Sequence, residues 1–156
     1  MLNQNHQLNI WVAKSSLFPF EVNSAIYNKS ICMAILPILE LDKNSNYFLI
    51  KNLLQKMLAV LDLSEEQLAI VNYYYSNSNK NINKKSNTQK ILSYYKQIKL
   101  ILQLGDLAVL DLNYLNSQNI IIAKTLHPEY LLKHPESKKQ AYQDLLQCKS
   151  QILTLL

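Results

Sequence analysis

The sequence predicts one three-layer α/β/α domain built on a mainly parallel, four-stranded sheet. Four runs of consecutive apolar residues have the length of buried strands, at residues 31–36, 68–73, 99–104 and 119–124. Segments with helical periodicity or helix signals lie between and after these runs. This alternation is typical of a parallel sheet with helices on both faces. A chain of 156 residues without internal repeats suits a single domain of this kind.

The N-terminal part of the chain is expected to contain two strands and a helix. Residues 8–13 (LNIWVA) read as a short extended or β segment, and residues 31–36 (ICMAIL) as the first core strand. We expect Pro37 to end that strand, because proline cannot donate a ladder hydrogen bond. Apolar residues then recur at helical spacing over residues 47–61, which predicts a helix.

The middle of the chain combines a helix-start signal with a polar stretch. Ser64 opens the sequence SEEQ, a capping-box pattern that predicts a short helical turn before the strand at 68–73. Residues 76–89 (SNSNKNINKKSNTQ) are polar and of low complexity. We expect a mobile loop there, because such a segment buries too little apolar surface to offset its ordering entropy. A helix is expected to follow near residues 88–97.

The last third of the chain alternates strands and helices. Gly105 follows the strand at 99–104 and is expected to open a helix that runs to about Leu115. After the strand at 119–124, Pro135 suits the first turn of a final helix that reaches about Leu153.

The charge of the chain is mildly positive and is carried by lysine alone. Sixteen lysines and no arginine stand against 11 acidic residues, for a net charge of +5. The absence of arginine excludes bidentate guanidinium contacts to phosphates or bases, whereas the positive excess still permits nucleic-acid contact. The sequence has no apolar run of membrane-spanning length and no secretory signal, so we expect a cytoplasmic protein.

The cysteines and histidines do not form a metal-binding pattern. Cys32 and Cys148 are the only cysteines and belong to no CxxC pair, so they cannot supply the four ligands of a zinc or iron–sulfur site. We expect one buried thiol and one helix-borne thiol, with no metal and no cofactor. His6 and His134 are expected to be solvated.

The segment at residues 125–145, TLHPEYLLKHPESKKQAYQDL, resembles the C-terminal signature of the small uracil-DNA glycosylases. The matching positions are a His-Pro pair, a Leu-Leu pair, a basic residue, a second proline, a lysine, an aromatic residue and an Asp-Leu pair: His127, Pro128, Leu131, Leu132, Lys133, Pro135, Lys138, Tyr142, Asp144 and Leu145. The hydrophobic pattern upstream is also similar, so the resemblance covers about residues 31–147 and implies that family's three-layer fold.

The resemblance implies roles for the His-Pro segment. His127 would lie near an extruded base, where an imidazole can donate to the charge on the departing uracil, and Tyr130 or Leu131 would be the wedge in the base stack. Other parts of that family's catalytic site have no counterpart in this chain. The first loop (AILPILELDKNSN) has no glycine, and the cysteines that bind an iron–sulfur cluster in one group of these glycosylases are missing. Of the family's second motif, an asparagine at a strand end followed by a Cys-Arg-Pro-Pro-like run, only Asn72 remains. We therefore expect no catalytic activity. His127 and Asn72 would be relics, and His127 would cap or hydrogen-bond its loop.

Among non-catalytic relatives of that fold, the chain resembles the psi-subunit family of bacterial DNA polymerase III. It shares the small size, the glycine-free first loop and an N-terminal tryptophan followed by a basic residue, Trp11 and Lys14. The resemblance implies an adaptor that links the clamp loader to the chi subunit and, through chi, to single-strand binding protein. The alternatives are a divergent uracil-DNA glycosylase acting in base-excision repair and a fold relative with an unrelated binding role.

We expect residues 1–20 to form a partner-binding segment and residues 21–156 to form the glycosylase-like domain. The segment holds a dense set of anchors: Trp11, Lys14, Leu17, Phe18 and Phe20. Instead of contacting a partner, Trp11 could equally pack into the core and hold the N-terminal segment against the domain.

Two further groups of side chains are candidates for DNA contact. Lys133, Lys138 and Lys139 could contact phosphates, although a solvated face is the simpler interpretation. The three consecutive tyrosines at 73–75 could stack on bases, but packing into the core or against a partner is favoured.

Overall fold

The computed structural model describes residues 8–12, 29–39, 46–64, 66–75, 84–106 and 110–156. Its strands are β1 (Leu8–Val12), β2 (Cys32–Leu39), β3 (Leu68–Tyr75), β4 (Leu100–Leu104) and β5 (Ile121–Thr125). Its α-helices are α1 (Asn46–Ala59), α2 (Lys84–Tyr94), α3 (Leu112–Ser117), α4 (Pro128–Lys133) and α5 (Lys138–Leu155). A 3-10 turn, Pro135–Ser137, leads into α5.

The strands form one sheet in the order β1-β3-β2-β4-β5. Strands β2, β3, β4 and β5 run parallel, and β1 runs antiparallel along the outer side of β3. The predicted three-layer α/β architecture with four parallel strands is confirmed. The segment read as extended or β at residues 8–13 supplies a fifth strand at the edge of the sheet.

Alternate residues of the core strands face opposite layers of helices. In β4, Leu100, Leu102 and Leu104 pack in one cluster with α1, α4 and α5, whereas Ile101 packs in a second cluster with α2 and α3. This alternation is the two-residue period of a strand. Because both faces of the sheet are covered, each core strand is apolar along most of its length, as the sequence predicts.

The capping-box sequence at Ser64 forms a single helical turn. The Ser64 N–H donates to the Gln67 side-chain oxygen at 3.0 Å, and the Leu68 N–H donates to the Ser64 carbonyl at 3.2 Å. The first of these is the reciprocal bond that a glutamine three residues after the cap is expected to make. The turn directs the chain into β3.

Strand β2 continues past Pro37 to Leu39, so the expected end of the strand at this proline is wrong. The last pair between β2 and β4 is Ile35 with Gln103, whereas β2 pairs with β3 over its whole length. The Cys32 N–H donates to Gln67, on the β3 side, and the direction of the N–H groups alternates along a strand. The N–H that Pro37 lacks would therefore point beyond the end of β4, where no ladder bond is lost.

Helix α2 begins at Lys84, so residues 84–89 are helical instead of part of the expected mobile loop; residues 76–83 lie outside the described residues. Thr88 explains the difference, because this polar side chain is buried. Its Oγ1 donates to the Lys84 carbonyl at 2.7 Å and accepts from the Asp111 N–H at 2.8 Å. Asp111 in turn caps α3 by accepting from the Tyr114 N–H at 3.0 Å. A hydrogen-bonded junction thus orders a segment that its composition marks as a loop.

The helix expected from Gly105 to about Leu115 is shorter than predicted. Among the described residues, α3 spans only Leu112–Ser117, and Gly105 lies in the bend that follows β4. The final helix agrees with the prediction, because Pro135 opens the 3-10 turn and α5 reaches Leu155.

Candidate functional site

Strands β2 and β4 mark the point where the chain changes its direction of progress across the sheet. From β2 the chain moves outward to β3, and it later returns past β2 to add β4 and then β5 on the other side. In open parallel α/β sheets, ligands bind outside the carboxyl ends of the strands at such a point. The candidate site therefore lies at the carboxyl ends of β2 and β4. Residues 40–45, which follow β2, lie outside the described residues, so the described part of the site consists of the ends of β4 and of its neighbour β5.

Gly105 and His127 lie against each other at these strand ends. Gly105 is the only glycine of the chain and adopts a φ of +93°, a conformation that L side chains rarely adopt. A Cβ at this position would lie 3.2 Å from the His127 Cβ and 3.6 Å from its ring Cδ2. The Gly105 N–H donates to the Thr125 carbonyl at 2.9 Å. Glycine is thus needed both for the backbone conformation and for the approach of the histidine.

His127 is the N-cap of α4. Its Nδ1 accepts a hydrogen bond from the Glu129 N–H at 3.0 Å, and its carbonyl accepts from the Leu131 N–H at 3.1 Å. Pro128 occupies the first helical position, where its missing N–H costs nothing. The capping bond requires an unprotonated Nδ1. His127 therefore has the capping role expected of it, and its ring is held between the helix it starts and Gly105.

The segment that follows β5 is tied back to the sheet through Asp144. Its Oδ2 accepts from the Thr125 hydroxyl at 3.0 Å and its Oδ1 accepts from the Gln140 amide at 2.9 Å. Thr125 is buried, so its hydroxyl needs such a partner. The Asp-Leu pair of the sequence motif thus has a structural role, because Asp144 is hydrogen-bonded to β5 and Leu145 lies in the core.

Only one of the two wedge candidates is accessible. Leu131 is 1% exposed and belongs to the core cluster shared with α1 and α5, so its implied role as a wedge is wrong. Tyr130 is half-exposed and stacks on His134, with ring centroids 4.3 Å apart. His134 is exposed, as expected, and its Nδ1 lies 3.4 Å from a Glu136 carboxylate oxygen.

The three lysines predicted as DNA contacts are exposed on neighbouring elements. Lys133 ends α4 and pairs with Glu129 at 3.8 Å, while Lys138 and Lys139 begin α5. A further ion pair joins Lys124 to Asp106; this hydrogen bond and the charge of Lys124 hold the pKa of the Asp106 carboxyl below its usual value. All of these charges are solvated, so their pairing contributes little to stability.

Gln103 is a site residue that the sequence reasoning missed. It is 5% exposed near the end of β4, beside Ile35 of β2, and its Nε2 has no hydrogen-bond partner among the described residues. A buried amide without a partner costs free energy and is uncommon in native proteins. The available signal was the single polar residue inside the otherwise apolar strand LILQL.

The remaining predicted residues lie at the opposite edge of the sheet or outside the described ranges. Trp11 is in β1, opposite Ile70 of β3, and Asn72 is in β3, opposite Asn9 and Leu36. Lys14, Leu17, Phe18 and Phe20 lie outside the described residues. Five residues of the predicted partner-binding segment are therefore paired with the sheet, and the boundary at residue 20 stays a prediction.

The cysteines are both buried and both free. Cys32 on β2 and Cys148 on α5 belong to the same core cluster. Burial, together with the charge that Cys148 would carry, raises the pKa of Cys32 well above its ordinary value, and burial raises the pKa of Cys148 to about 11. Nowhere in the described ranges do three or more His, Cys, Asp or Glu side chains come together as ligands for a metal ion.

None of the helices in the described part of the chain combines the length and apolar character that a membrane crossing requires. No protein-family model matches the chain, and no curated protein matches it at a significant level. What the strand ends do is therefore inferred from their own geometry.

Proposed function

We propose that the chain is a non-catalytic adaptor with a uracil-DNA glycosylase-like fold, similar to the psi subunits of bacterial DNA polymerase III. In this role it links the clamp loader to the chi subunit and, through chi, to single-strand binding protein during DNA replication. The observation that carries the proposal is the burial of Leu131 in the core, because a wedge residue must be free to enter the base stack.

The family resemblance assigns chemical roles to two side chains, His127 and Leu131, and the packing removes Leu131 from its role. His127 accepts a backbone N–H at Nδ1, and this tautomer keeps Nε2–H as a donor, so the cap is compatible with a structural or a chemical role. A wedge residue must be free to enter the base stack, whereas Leu131 is buried in the core. The burial of Leu131 favours a retained fold without base excision.

The N-terminal anchors support a partner-binding role. Trp11, Leu17, Phe18 and Phe20 are concentrated in the first 20 residues, and large aromatic side chains supply much of the energy at protein interfaces. The pairing of Leu8–Val12 with β3 places Trp11 at an edge of the sheet, next to the segment that continues toward Leu17. We therefore assign the clamp-loader contact to this edge and the chi contact to the α/β domain.

The test compares partner binding by the full chain and by Trp11→Ala. The wild-type protein should bind purified chi subunit and purified clamp loader from the same organism. Trp11→Ala should weaken clamp-loader binding by about 2 kcal/mol or more and leave chi binding unchanged. If Trp11 is instead a core staple, the variant will melt several degrees lower and will bind the clamp loader normally per folded molecule. That result would remove Trp11 from the interface.

A second assay tests the absence of catalysis. Excess protein is incubated with single- and double-stranded uracil-containing DNA, and abasic sites are cleaved with alkali. We expect no product above that of the buffer control. Stoichiometric product that is lost in His127→Ala would show that the chain is a glycosylase and would overturn the adaptor role. Product that persists in His127→Ala would identify a contaminating enzyme.

A further inference from the structure

Helix α5 carries a second row of side chains, three of them large and apolar, that its own domain covers only in part. The row consists of Tyr142, Leu146, Lys149 and Leu153, and we call it the outer row. Tyr142 is 53% exposed, Leu146 42% and Leu153 61%, whereas Lys149 is half-buried. Exposed large apolar residues are common singly, but three of them along one side of one helix are typical of an interaction surface.

The outer row repeats the spacing of the residues that anchor α5 to the core. The core-facing residues are Ala141, Leu145, Cys148 and Ile152, and each member of the outer row follows one of them by a single position. One position is about 100° around an α-helix, so the two rows run side by side along the axis. The apolar surface of α5 thus extends around the helix beyond the part that the core covers.

The charges that α5 itself places in or beside the outer row are of one sign. Lysine supplies all three bases of α5, with Lys149 within the row and Lys138 and Lys139 at the start of the helix. The only acidic residue of the helix, Asp144, is engaged by Thr125 and Gln140 on the side that faces β5. A partner that covers the row therefore meets leucine, tyrosine and positive charge, without a carboxylate of α5 to repel its own acids.

We propose that the outer row of α5 is the docking surface for a helix of a partner protein that carries apolar side chains flanked by carboxylates. Positions i, i+4, i+7 and i+11 form the seam of two packed helices. A carboxylate of the partner opposite Lys149 would form an ion pair with it, so that a lysine is favourable at this position between the two helices. This assignment rests on the proposed adaptor role, in which the chi subunit is the partner held by the α/β domain.

The charge pattern also disfavours two other partners for the outer row, a second copy of the chain and a nucleic acid. In a second copy of the chain packed parallel about a two-fold axis, Lys149 would face Lys149, and in an antiparallel pair Lys149 would face Leu146, so neither arrangement gives this lysine a carboxylate of α5 as partner. A nucleic acid would satisfy the lysines but would leave Leu146 and Leu153 without apolar partners. An acidic, apolar protein helix satisfies both parts of the surface.

The experiment measures the affinity of purified chi subunit for the full chain and for matched surface variants. Leu146→Glu and Leu153→Glu place a charge in the outer row, and Lys149→Glu reverses its basic position. Gln147→Glu and Ser150→Glu are the controls, because these residues are exposed on α5 outside the row. We expect each outer-row variant to weaken binding at least tenfold and each control to change it less than twofold, with unchanged melting temperatures throughout.

The possible outcomes distinguish an error in the docking surface from an error in the adaptor role. If wild-type protein binds chi and the outer-row variants bind equally well, the docking surface is wrong and the adaptor role stands. If the wild-type protein does not bind chi, the adaptor role fails and this assignment fails with it. Light scattering that shows a dimer broken by Leu146→Glu, or binding of oligothymidine that requires the outer row, would overturn the proposal in favour of self-association or of DNA.

Discussion

Gly105 combines a strained backbone angle with close contact to His127, and each predicts that Gly105→Ala destabilises the fold. A φ of +93° disfavours any L side chain, and the new Cβ would lie 3.2 Å from the His127 Cβ. We expect a loss of about 1–2 kcal/mol in the free energy of unfolding, measured by urea denaturation. Asn119→Gly is the opposite control, because Asn119 has a φ of +59° and glycine should remove the backbone strain at this position. A neutral Gly105→Ala would show that the strand ends can shift apart.

The buried Gln103 amide should cost stability, and Gln103→Met tests this. Methionine keeps the length of the side chain and removes the Nε2 that lacks a partner among the described residues. We expect the variant to be about 1 kcal/mol more stable, because a buried donor without an acceptor loses its hydration without compensation. The exposed Gln97→Met should change little. Lower stability for Gln103→Met would show that this amide makes a stabilising hydrogen bond.

At the scale of elements, the start of α5 opposes the helix dipole. Lys138 and Lys139 occupy the first turn, where no acidic residue is present. Lys138→Glu and Lys139→Glu should each raise the free energy of unfolding by about 0.3–1 kcal/mol at low salt, as measured by urea denaturation. Lys133→Glu is the matched contrast, because Lys133 lies in the last turn of α4 and pairs with Glu129, so reversing it should destabilise. Equal effects for all three variants would contradict the dipole argument.

The sequence predicted the strands better than the helices, for physical reasons. A core strand buried on both faces reads as a continuous apolar run, and β2, β4 and β5 begin within two residues of the predicted starts. Helices α3 and α4 are six residues long, and each rests on a side-chain cap, Asp111 or His127. Helix α2 depends on the junction at Thr88, which only the folded chain brings together.

The candidate site was predictable only in part. The sequence motif marked His127 and suggested the capping role, and the strand pattern located the edge where it lies. The contact between His127 and Gly105 joins two residues that follow different strands, so it requires the register of β4 with β5. The burial of Leu131 and the missing partner of Gln103 are properties of packing, and no local pattern encodes them.

At the scale of the whole molecule, the two core thiols couple folding to alkaline pH. Because the pKa of Cys148 is raised to about 11 and that of Cys32 is raised as well, the folded state keeps protons that the unfolded chain releases near its ordinary pKa of about 9. The resulting stability is present below that pH and is lost as the pH rises toward 11. The free energy of unfolding of wild type should therefore fall between pH 8.5 and 10.5 more steeply than that of Cys148→Ala. Parallel curves would contradict this linkage.

The position of β1 also has a consequence for the order in which the molecule assembles. The β2–α1–β3 unit joins neighbouring parts of the chain, whereas β1 must return from the N-terminal side to pair antiparallel with the completed β3. Pairing across a long loop is entropically slow, so we expect β1 to close the sheet late in folding and to open first. Its amides should exchange with solvent before those of β2 and β4, as hydrogen-exchange measurements would show. The edge assigned to the clamp loader would then be the least cooperative part of the sheet, able to open while the core stays closed.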